Sequence, residues 1–372
     1  MHLKIAVLGG DGIGPEVLKQ SVKCLQAVAE TFGHDFTYTE GLVGAAAMKE
    51  TGNPLPDATL ELCKKSDAIL FGAIGALEYD NDPNARVRPE QGLLKLRKEL
   101  DLFANIRPVK VFPILAPKSP LKEDIIKGTD FVIYRELLGG IYFNEKKLSE
   151  DGTKASDLCE YTEGEISRIA HLAFKAAKRR RKKLTLVDKA NVLETSRLWR
   201  RVVTNIGESY PEVALNCLFI DNAAIQIILD PRQFDVILTE NMFGDVLNDQ
   251  GSVVLGSIGL LPSASVGTKN AMFEPVHGSY PQAKGKNIAN PVASILSVAM
   301  LLQHFGLYEE ANAVVAAILK SFLKNIVTSD VMGSSKYGTN YVGDFIAENI
   351  VDSDDNLTMN DENIWLGKST II

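Results

Sequence analysis

Three arginines and two aspartates form a pattern that suits an anionic ligand and a metal ion. Arg97, Arg107 and Arg135 each carry a planar guanidinium group that can donate two hydrogen bonds to one carboxylate. Three such groups suit a substrate with more than one carboxylate. Asp245 and Asp249 are four residues apart, which places them on one face of a helix, where they could chelate a hard divalent cation. A lone arginine or a carboxylate pair is more often a solvated surface feature.

Two leucines close to Arg97 in the sequence indicate which kind of anionic ligand the site would accept. If residues 89–100 are helical, Glu90, Leu93 and Leu94 share a face with Arg97. A cation beside two leucines suits a ligand that is anionic at one end and branched and aliphatic at the other.

Three further polar residues stand where they could join this chemistry. Asp221 follows an apolar, strand-like run and could supply a third carboxylate. Lys189 also follows a predicted strand, and a lysine crowded by a metal ion and arginines could have its pKa lowered enough to act as a base. Without such neighbours it is a surface lysine. Tyr142 follows the pair Gly139 and Gly140 and is the candidate acid.

The elements that would position these groups alternate between short apolar runs and helical periodicity, which predicts an α/β fold with parallel strands and crossover helices. Pro15 suits the first turn of a helix that Gly33 ends. Residues 139–161 are polar and predict a protruding β-arm or loop that contacts another subunit. The predicted strands span residues 3–8, 68–71, 131–134, 184–187 and 234–238.

Two glycine-rich segments are candidate ligand loops. Residues 9–17 (GGDGIGPEV) join a strand to a helix, but their glycines lack the Rossmann spacing and no P-loop lysine follows. A tight turn without a ligand is an equally good local interpretation. Residues 273–291 are rich in Gly, Pro and Asn and predict a long ordered loop, and such loops usually bind something.

Composition excludes several classes of protein. The 372 residues suffice for about two domains, and the net charge of −7 argues against nucleic acid as the main partner. The basic run 178–183 ends a predicted helix, where cations complement the helix dipole. Four widely spaced cysteines predict reduced core residues. No apolar run is long enough to span a membrane and no export signal opens the chain, so we expect a cytoplasmic protein.

The order and spacing of the motifs resemble the isocitrate/isopropylmalate family of β-decarboxylating dehydrogenases over nearly the whole chain. This resemblance implies two α/β domains with a cleft between them. Residues 1–102 and 257–372 would form a discontinuous cofactor domain, and residues 103–256 a central domain with the dimer interface and the arm. The motifs are GGDGIGPEV, RPEQGLLKLR, IRPV, RELLGGIYF, VDKANVLE, FIDNAAIQ, ENMFGDVLND and FEPVHGSYP with GKNIANP.

The resemblance also implies roles at the matching positions. Lys189 would be the base and Tyr142 the acid, and the aspartates would bind Mg²⁺ or Mn²⁺. Lys189 and Asp221 would come from the neighbouring subunit, which implies an obligate homodimer with shared sites. The substrate-binding residues would be Arg97, Arg107, Arg135, Asp221, Glu90, Leu93, Leu94 and Val192, and the metal ligands Asp221, Asp245 and Asp249.

In this family the cofactor is bound without the Rossmann fingerprint, which is consistent with the glycine spacing here. Gln282 stands where NAD-using relatives usually carry an aspartate, so rejection of a 2′-phosphate is less secure. The residues typical of NADP-using relatives are absent, so NAD is favoured. The cofactor-binding residues would be Ile13, Glu90, His277, Gly278, Ser279, Gln282 and Asn290.

Within the family, the leucine pair is similar to the isopropylmalate branch. The implied reaction is NAD-dependent and metal-dependent oxidative decarboxylation of (2R,3S)-3-isopropylmalate to 4-methyl-2-oxopentanoate and CO₂ in leucine biosynthesis. A sister activity on D-malate, tartrate, isocitrate or homoisocitrate is the nearest alternative. Two further alternatives are a non-catalytic regulatory subunit and an unrelated metal-dependent phosphoesterase.

Overall fold

A computed structural model describes residues 1–80, 82, 85 and 87–351 of the chain. The strands in these ranges are β1 His2–Gly10, β2 Asp35–Glu40, β3 Ala68–Ala73, β4 Ala104–Lys110, β5 Asp130–Glu136, β6 Lys146–Leu148, β7 Ala155–Asp157, β8 Lys183–Asp188, β9 Ala214–Phe219, β10 Val236–Thr239, β11 Pro262–Val266 and β12 Ala271–Pro275. The α-helices are α1 Gly14–Phe32, α2 Gly44–Thr51, α3 Asp57–Lys65, α4 Leu77–Asp80, α5 Glu90–Glu99, α6 Glu123–Ile126, α7 Glu163–Arg179, α8 Glu194–Gly207, α9 Ile220–Leu229, α10 Asn241–Leu255, α11 Val292–His304, α12 Tyr308–Leu323 and α13 Thr339–Glu348.

One ten-stranded sheet runs through the molecule in the order β2-β1-β3-β12-β11-β4-β5-β10-β8-β9. Its outer pairs are parallel, as predicted, but β12·β11, β11·β4 and β4·β5 are antiparallel. The parallel strands of the two halves therefore run in opposite directions. The expected parallel pairing holds in the outer parts of the sheet and fails at its centre, where β11 and β12 are joined by a tight hairpin rather than by a crossover helix.

Local signals placed several elements correctly. Four predicted strands fall within β1, β3, β5 and β8, while β10 begins two residues later than predicted. Pro15 lies in the first turn of α1, and Gly33 ends that helix in the left-handed conformation with φ of 69°. In α11 every residue from Val292 to Gln303 is buried, so this apolar segment belongs to the core. No helix in the described ranges is both long and apolar enough to cross a membrane.

The sheet order groups the strands by their place in the chain, while the division into two domains stays a prediction. Strands from residues 1–102 and from the segment after 256 occupy one half of the sheet, and strands from 103–256 occupy the other. The two halves meet where β11 pairs with β4. Residues 352–372 of the predicted cofactor domain lie outside the described part of the chain.

The predicted arm contains a small sheet of its own. Strands β6 and β7 pair in antiparallel fashion, and all six of their residues are exposed. The expected β-structure is therefore present, while its contact with another subunit stays a prediction.

The basic run 178–183 includes an arginine that forms ion pairs within the fold. Arg180 donates hydrogen bonds to Asp235 at 2.8 Å and to Asp130 at 2.6 Å, so its charge stabilises the fold.

Two of the four cysteines, Cys24 and Cys63, are buried as expected. Cys217 is exposed, so the core assignment is wrong there, while Cys159 is half-buried and packs against the core. Cys217 lies on β9, which is an edge strand of the sheet.

Candidate active site

Two of the predicted substrate arginines are neighbours on one face of the sheet. Asn105 pairs with Arg135 and Arg107 with Ile133 across β4 and β5, so the two arginines are diagonal neighbours. Both are buried, and burial lowers the pKa of Arg107 to about 9. Helix α10 packs directly on them, because a Cβ at Gly244 would stand only 2.6 Å from Arg135 Cγ. The strands and this helix thus enclose a cationic pair.

The third arginine is linked to this pair by a chain of buried hydrogen bonds. Arg97 Nη2 donates to Glu274 Oε1 at 2.9 Å, and Ser265 Oγ donates to the same oxygen at 3.3 Å. Asn105 Nδ2 donates to Ser265 Oγ at 3.1 Å, and Arg107 Nε donates to Asn105 Oδ1 at 2.6 Å. The chain crosses β12, β11 and β4, so the antiparallel strands set the spacing between Arg97 and Arg107.

The two carboxylates of α10 differ in their surroundings. Asp245 accepts hydrogen bonds from Arg135 and from the hydroxyl of Tyr142, the latter at 3.1 Å. Burial alone would raise the pKa of Asp245, but the charges of Arg135 and Arg107 outweigh it and lower that pKa. Burial and the charge of Asp245 raise the pKa of Asp249. A divalent cation between these oxygens would relieve their repulsion, so the donor set fits Mg²⁺ or Mn²⁺.

Lys189 and Asp221 form a separate pair. Lys189 Nζ donates to Asp221 Oδ1 at 2.6 Å, and the carboxylate is largely exposed. No group of three or more His, Cys, Asp or Glu side chains capable of holding a metal ion occurs among the described residues. A single chain therefore does not bring Asp221 together with Asp245 and Asp249. Val192, close to this pair in sequence, is 61% exposed.

Predicted cofactor residues from three segments converge near Gly75. A Cβ at Gly75 would stand 3.2 Å from both Glu90 Oε1 and Ser279 Oγ. The amide of Ile13 donates to the Ser279 carbonyl at 2.8 Å. A Cβ at Gly12, whose φ is +57°, would lie 1.9 Å from the same carbonyl oxygen, so only glycine fits there. The glycine-rich turn thus supports the loop that follows β12.

A cavity of about 380 Å³ opens beside this contact, a size typical of small-molecule sites. His277 lines the cavity, its Nε2 is buried without a hydrogen-bond partner among the described residues, and burial lowers the pKa of His277. Gln282 is exposed and is not part of the wall. The residues lining the cavity are Ile13, Ser257, Ile258, Gly259, His277, Gly278, Tyr280, Ile288, Ala289, Asn290, Ser329 and Asp330.

Comparison with known proteins identifies the family. The family model described as isocitrate/isopropylmalate dehydrogenase matches residues 4–346. The chain belongs to this family. It is 51% identical over 352 residues to the 3-isopropylmalate dehydrogenase of Bacteroides fragilis, covering 94% of this chain and 99% of the relative. It is 50% identical to that of Aquifex aeolicus, covering 93% and 97%.

Solved structures agree with this assignment. The isocitrate dehydrogenase of Methylococcus capsulatus matches with a TM-score of 0.85 and 32% identity, covering 94% of this chain and 99% of that chain. A β-decarboxylating dehydrogenase from Thermococcus kodakarensis matches with a TM-score of 0.75 and 37% identity, covering 94% and 96%. This chain is therefore an oxidoreductase of the isocitrate/isopropylmalate dehydrogenase family.

In this family member, several residues that contact the site were not found from the sequence. Glu274 and Asn105 connect the arginines, and Asn241 contacts Arg135. Tyr280 lines the cavity with a φ of 39°, which is rare for any residue but glycine. Asp330 accepts a hydrogen bond from Asn290 at 3.0 Å. Glu274, Asn241 and Tyr280 lie in the quoted motifs and Asn105 and Asp330 lie outside them, and nothing in the spacing indicated these contacts.

Proposed function

We propose that this chain is an NAD-dependent and metal-dependent enzyme that converts 3-isopropylmalate to 4-methyl-2-oxopentanoate and CO₂ in leucine biosynthesis. Relatives about 50% identical to it over nearly their whole length are 3-isopropylmalate dehydrogenases. The reaction draws on the NAD pool of the cell, so a cytoplasmic location is part of this proposal.

The proposed substrate depends on how α5 places two leucines next to Arg97. Helix α5 presents Leu93 and Leu94 one turn before Arg97, and both leucines are only half-buried. The guanidinium group suits a carboxylate, and the leucines suit the isopropyl branch. An isocitrate substrate would place a third carboxylate against these leucines, at a desolvation cost.

The test is a substrate panel. Initial rates with Mn²⁺ are compared for 3-isopropylmalate, D-malate, tartrate, isocitrate and homoisocitrate, each with NAD and with NADP. We expect the highest kcat/KM with 3-isopropylmalate and NAD. Preference for isocitrate would contradict the role assigned to the leucines. Absence of turnover by the purified chain with every acid would favour the regulatory-subunit alternative.

The residues divide the work as follows. Arg97, Arg107 and Arg135 would hold the two carboxylates of the substrate in place. Bound NAD would accept the hydride, and a divalent cation would acidify the substrate hydroxyl and stabilise the enolate that remains after CO₂ leaves. Lys189 would take the hydroxyl proton. Tyr142 would donate a proton to the enolate carbon.

Cofactor choice depends on a residue outside the cavity wall. Gln282 lies in the short helical turn Pro281–Ala283 and is exposed. Its amide can bond a ribose hydroxyl but carries no charge to repel a 2′-phosphate. We expect NAD to be preferred, and the substitution Gln282→Asp to widen the preference in kcat/KM for NAD over NADP.

A shared site in a homodimer would bring the separated residues together. Apolar side chains of α9 and α10 are exposed, including Ile225 at 56%, one turn after Asp221, and Val246 at 52%, directly after Asp245. An exposed apolar face of this kind suits a second copy of the chain. Lys189 and Asp221 of one copy would then complete the carboxylate pair of the other.

Subunit complementation tests this sharing. Lys189→Ala and Asp245→Ala each inactivate every site in a pure dimer. Refolding an equal mixture should restore about a quarter of the wild-type activity, because half of the dimers are hybrids with one intact site of two. A mixture that stays inactive while hybrids form would contradict shared sites.

A further inference from the structure

Asn241 is the first residue of α10 and is 1% exposed. We propose that Asn241 is a positioning residue that sets which edge of the Arg135 guanidinium faces the substrate and ties Arg135 to the turn carrying Tyr142. This inference rests on the proposed function, since it assumes that Arg135 binds a substrate carboxylate.

The first step is the contact with Arg135. Asn241 Oδ1 accepts hydrogen bonds from Arg135 Nε at 3.1 Å and from Nη2 at 2.7 Å, while Nη1 donates to Asp245. One edge of the guanidinium is therefore occupied by the amide oxygen. The remaining hydrogens lie along the Nη1 and Nη2 edge, on the side of Asp245. A carboxylate can approach Arg135 in a two-oxygen geometry only along that edge.

The second step is the contact with the turn after β5. Asn241 Nδ2 donates to the Gly139 carbonyl at 3.2 Å, and its backbone N–H donates to the Tyr161 hydroxyl at 3.0 Å. Gly139 is pressed against Tyr161, because a Cβ there would stand 2.6 Å from the ring. The short helical turn Gly140–Tyr142 follows immediately. Asn241 thus connects Arg135, the turn that carries Tyr142 and the helix that carries Asp245.

The chemistry requires an amide here. An aspartate could accept from Arg135 but could not donate to the Gly139 carbonyl. It would also add a second negative charge beside Arg135, which already pairs with Asp245. The neutral amide of Asn241 orients the guanidinium without cancelling the charge that a substrate carboxylate needs.

The test uses Asn241→Asp, Asn241→Ala, Arg135→Lys and the double variant of Arg135→Lys with Asn241→Ala. We expect Asn241→Ala to raise the KM for 3-isopropylmalate about 10- to 100-fold, the size expected when hydrogen bonds to a charged group are lost. Asn241→Asp keeps the bonds from Arg135, and we expect it to raise the same KM because its added negative charge opposes the substrate carboxylate. The KM for NAD should change less than about twofold. Calorimetric binding of 3-isopropylmalate with Mn²⁺ in the absence of NAD should weaken by the same factor.

The double variant separates positioning from a structural role. If Asn241 acts through Arg135, Asn241→Ala should add little to the loss already caused by Arg135→Lys. Ser321→Ala is the matched control, because that buried hydroxyl also bonds a backbone carbonyl, in α12. It should lower the unfolding temperature without changing either KM.

Each outcome decides one claim. Additive losses in the double variant, or equal rises in the KM for both substrates, would overturn the inference. A wild-type chain that turns over NAD with another hydroxy acid instead would defeat the proposed substrate, and the same four variants could then be measured with that acid. Variants that fail to fold are replaced by Asn241→Ser, whose hydroxyl keeps one polar group at the position.

Discussion

The hydroxyl of Tyr142 donates a hydrogen bond to Asp245 Oδ2 at 3.1 Å. The proposed proton donor therefore contacts one of the two proposed metal ligands within the same chain. Burial, and then the negative charge of Asp245, raise the pKa of Tyr142. The phenol therefore keeps its proton at neutral pH, which is the state that a proton donor needs.

Replacing Tyr142 by Phe tests this role. The variant keeps the ring, whose centroid lies 5.8 Å from the Arg135 guanidinium carbon, and loses the hydroxyl together with its hydrogen bond to Asp245. We expect kcat for 3-isopropylmalate to fall about 10²- to 10⁴-fold, the usual contribution of a general acid, with little change in KM. Steady-state rates at pH 7 provide the measurement. An unchanged kcat would assign the proton to another group.

Leu94 provides the test of substrate shape. Leu94→Ala removes part of the apolar surface beside Arg97, so kcat/KM for 3-isopropylmalate should fall about 10- to 100-fold. D-Malate has no isopropyl branch, and its kcat/KM should stay within about threefold. Lys95→Ala, at the next and exposed position of α5, is the control. Equal losses with both acids would show that Leu94 supports the helix rather than the ligand.

Tyr280 provides a test of the cavity. Its left-handed backbone costs about 1–3 kcal/mol, and half of its side chain remains exposed at the cavity wall. Tyr280→Gly relieves the strain but removes the aromatic surface. We expect stability against heat to be kept or raised while the KM for NAD rises about 5- to 100-fold, as when a stacked base is lost.

Binding of ADP-ribose, measured by calorimetry, checks the same point without turnover. Tyr308→Ala is the control, because Tyr308 is similarly exposed and does not line the cavity. Unchanged ADP-ribose affinity in Tyr280→Gly would remove the tyrosine from the cofactor site.

Glu136 makes stability depend on pH. Its carboxyl is fully buried at the end of β5, and burial raises its pKa to about 7 from the ordinary value of 4.5. The folded state thus holds this proton more tightly than the unfolded state does. The resulting stability is fully present below pH 4.5, is lost as the pH rises towards 7, and amounts to about 3 kcal/mol.

A comparison of the wild type with Glu136→Gln isolates this contribution. The free energy of unfolding of the wild type, minus that of the variant, should fall between pH 4.5 and 7 and then level off. Urea unfolding at several pH values measures it. A difference that rises with pH would mean that the hydrogen bonds from Gly139 and Leu138 dominate the ionisation.

Patterns of residues that are close together in the sequence were sufficient to predict much of the fold and part of the site. Pro15 and Gly33 delimit α1 because each has an intrinsic backbone preference that acts within one turn. The spacing of Asp245 and Asp249 likewise placed both carboxylates on α10, and the leucines precede Arg97 on α5 as the helical period requires. These features depend on neighbours at most seven residues apart.

Contacts between segments that are far apart in the sequence could be identified only from the tertiary structure. Arg97 pairs with Glu274, 177 positions away, and Asn241 reaches back to Gly139, 102 positions away. The insertion of β12 between β3 and β11 places Glu274 for the first contact, and the packing of α10 on β5 creates the second. No periodicity in the chain encodes them, because many registers of strand pairing would satisfy the same hydrophobic pattern, and only the packing of the whole core selects one.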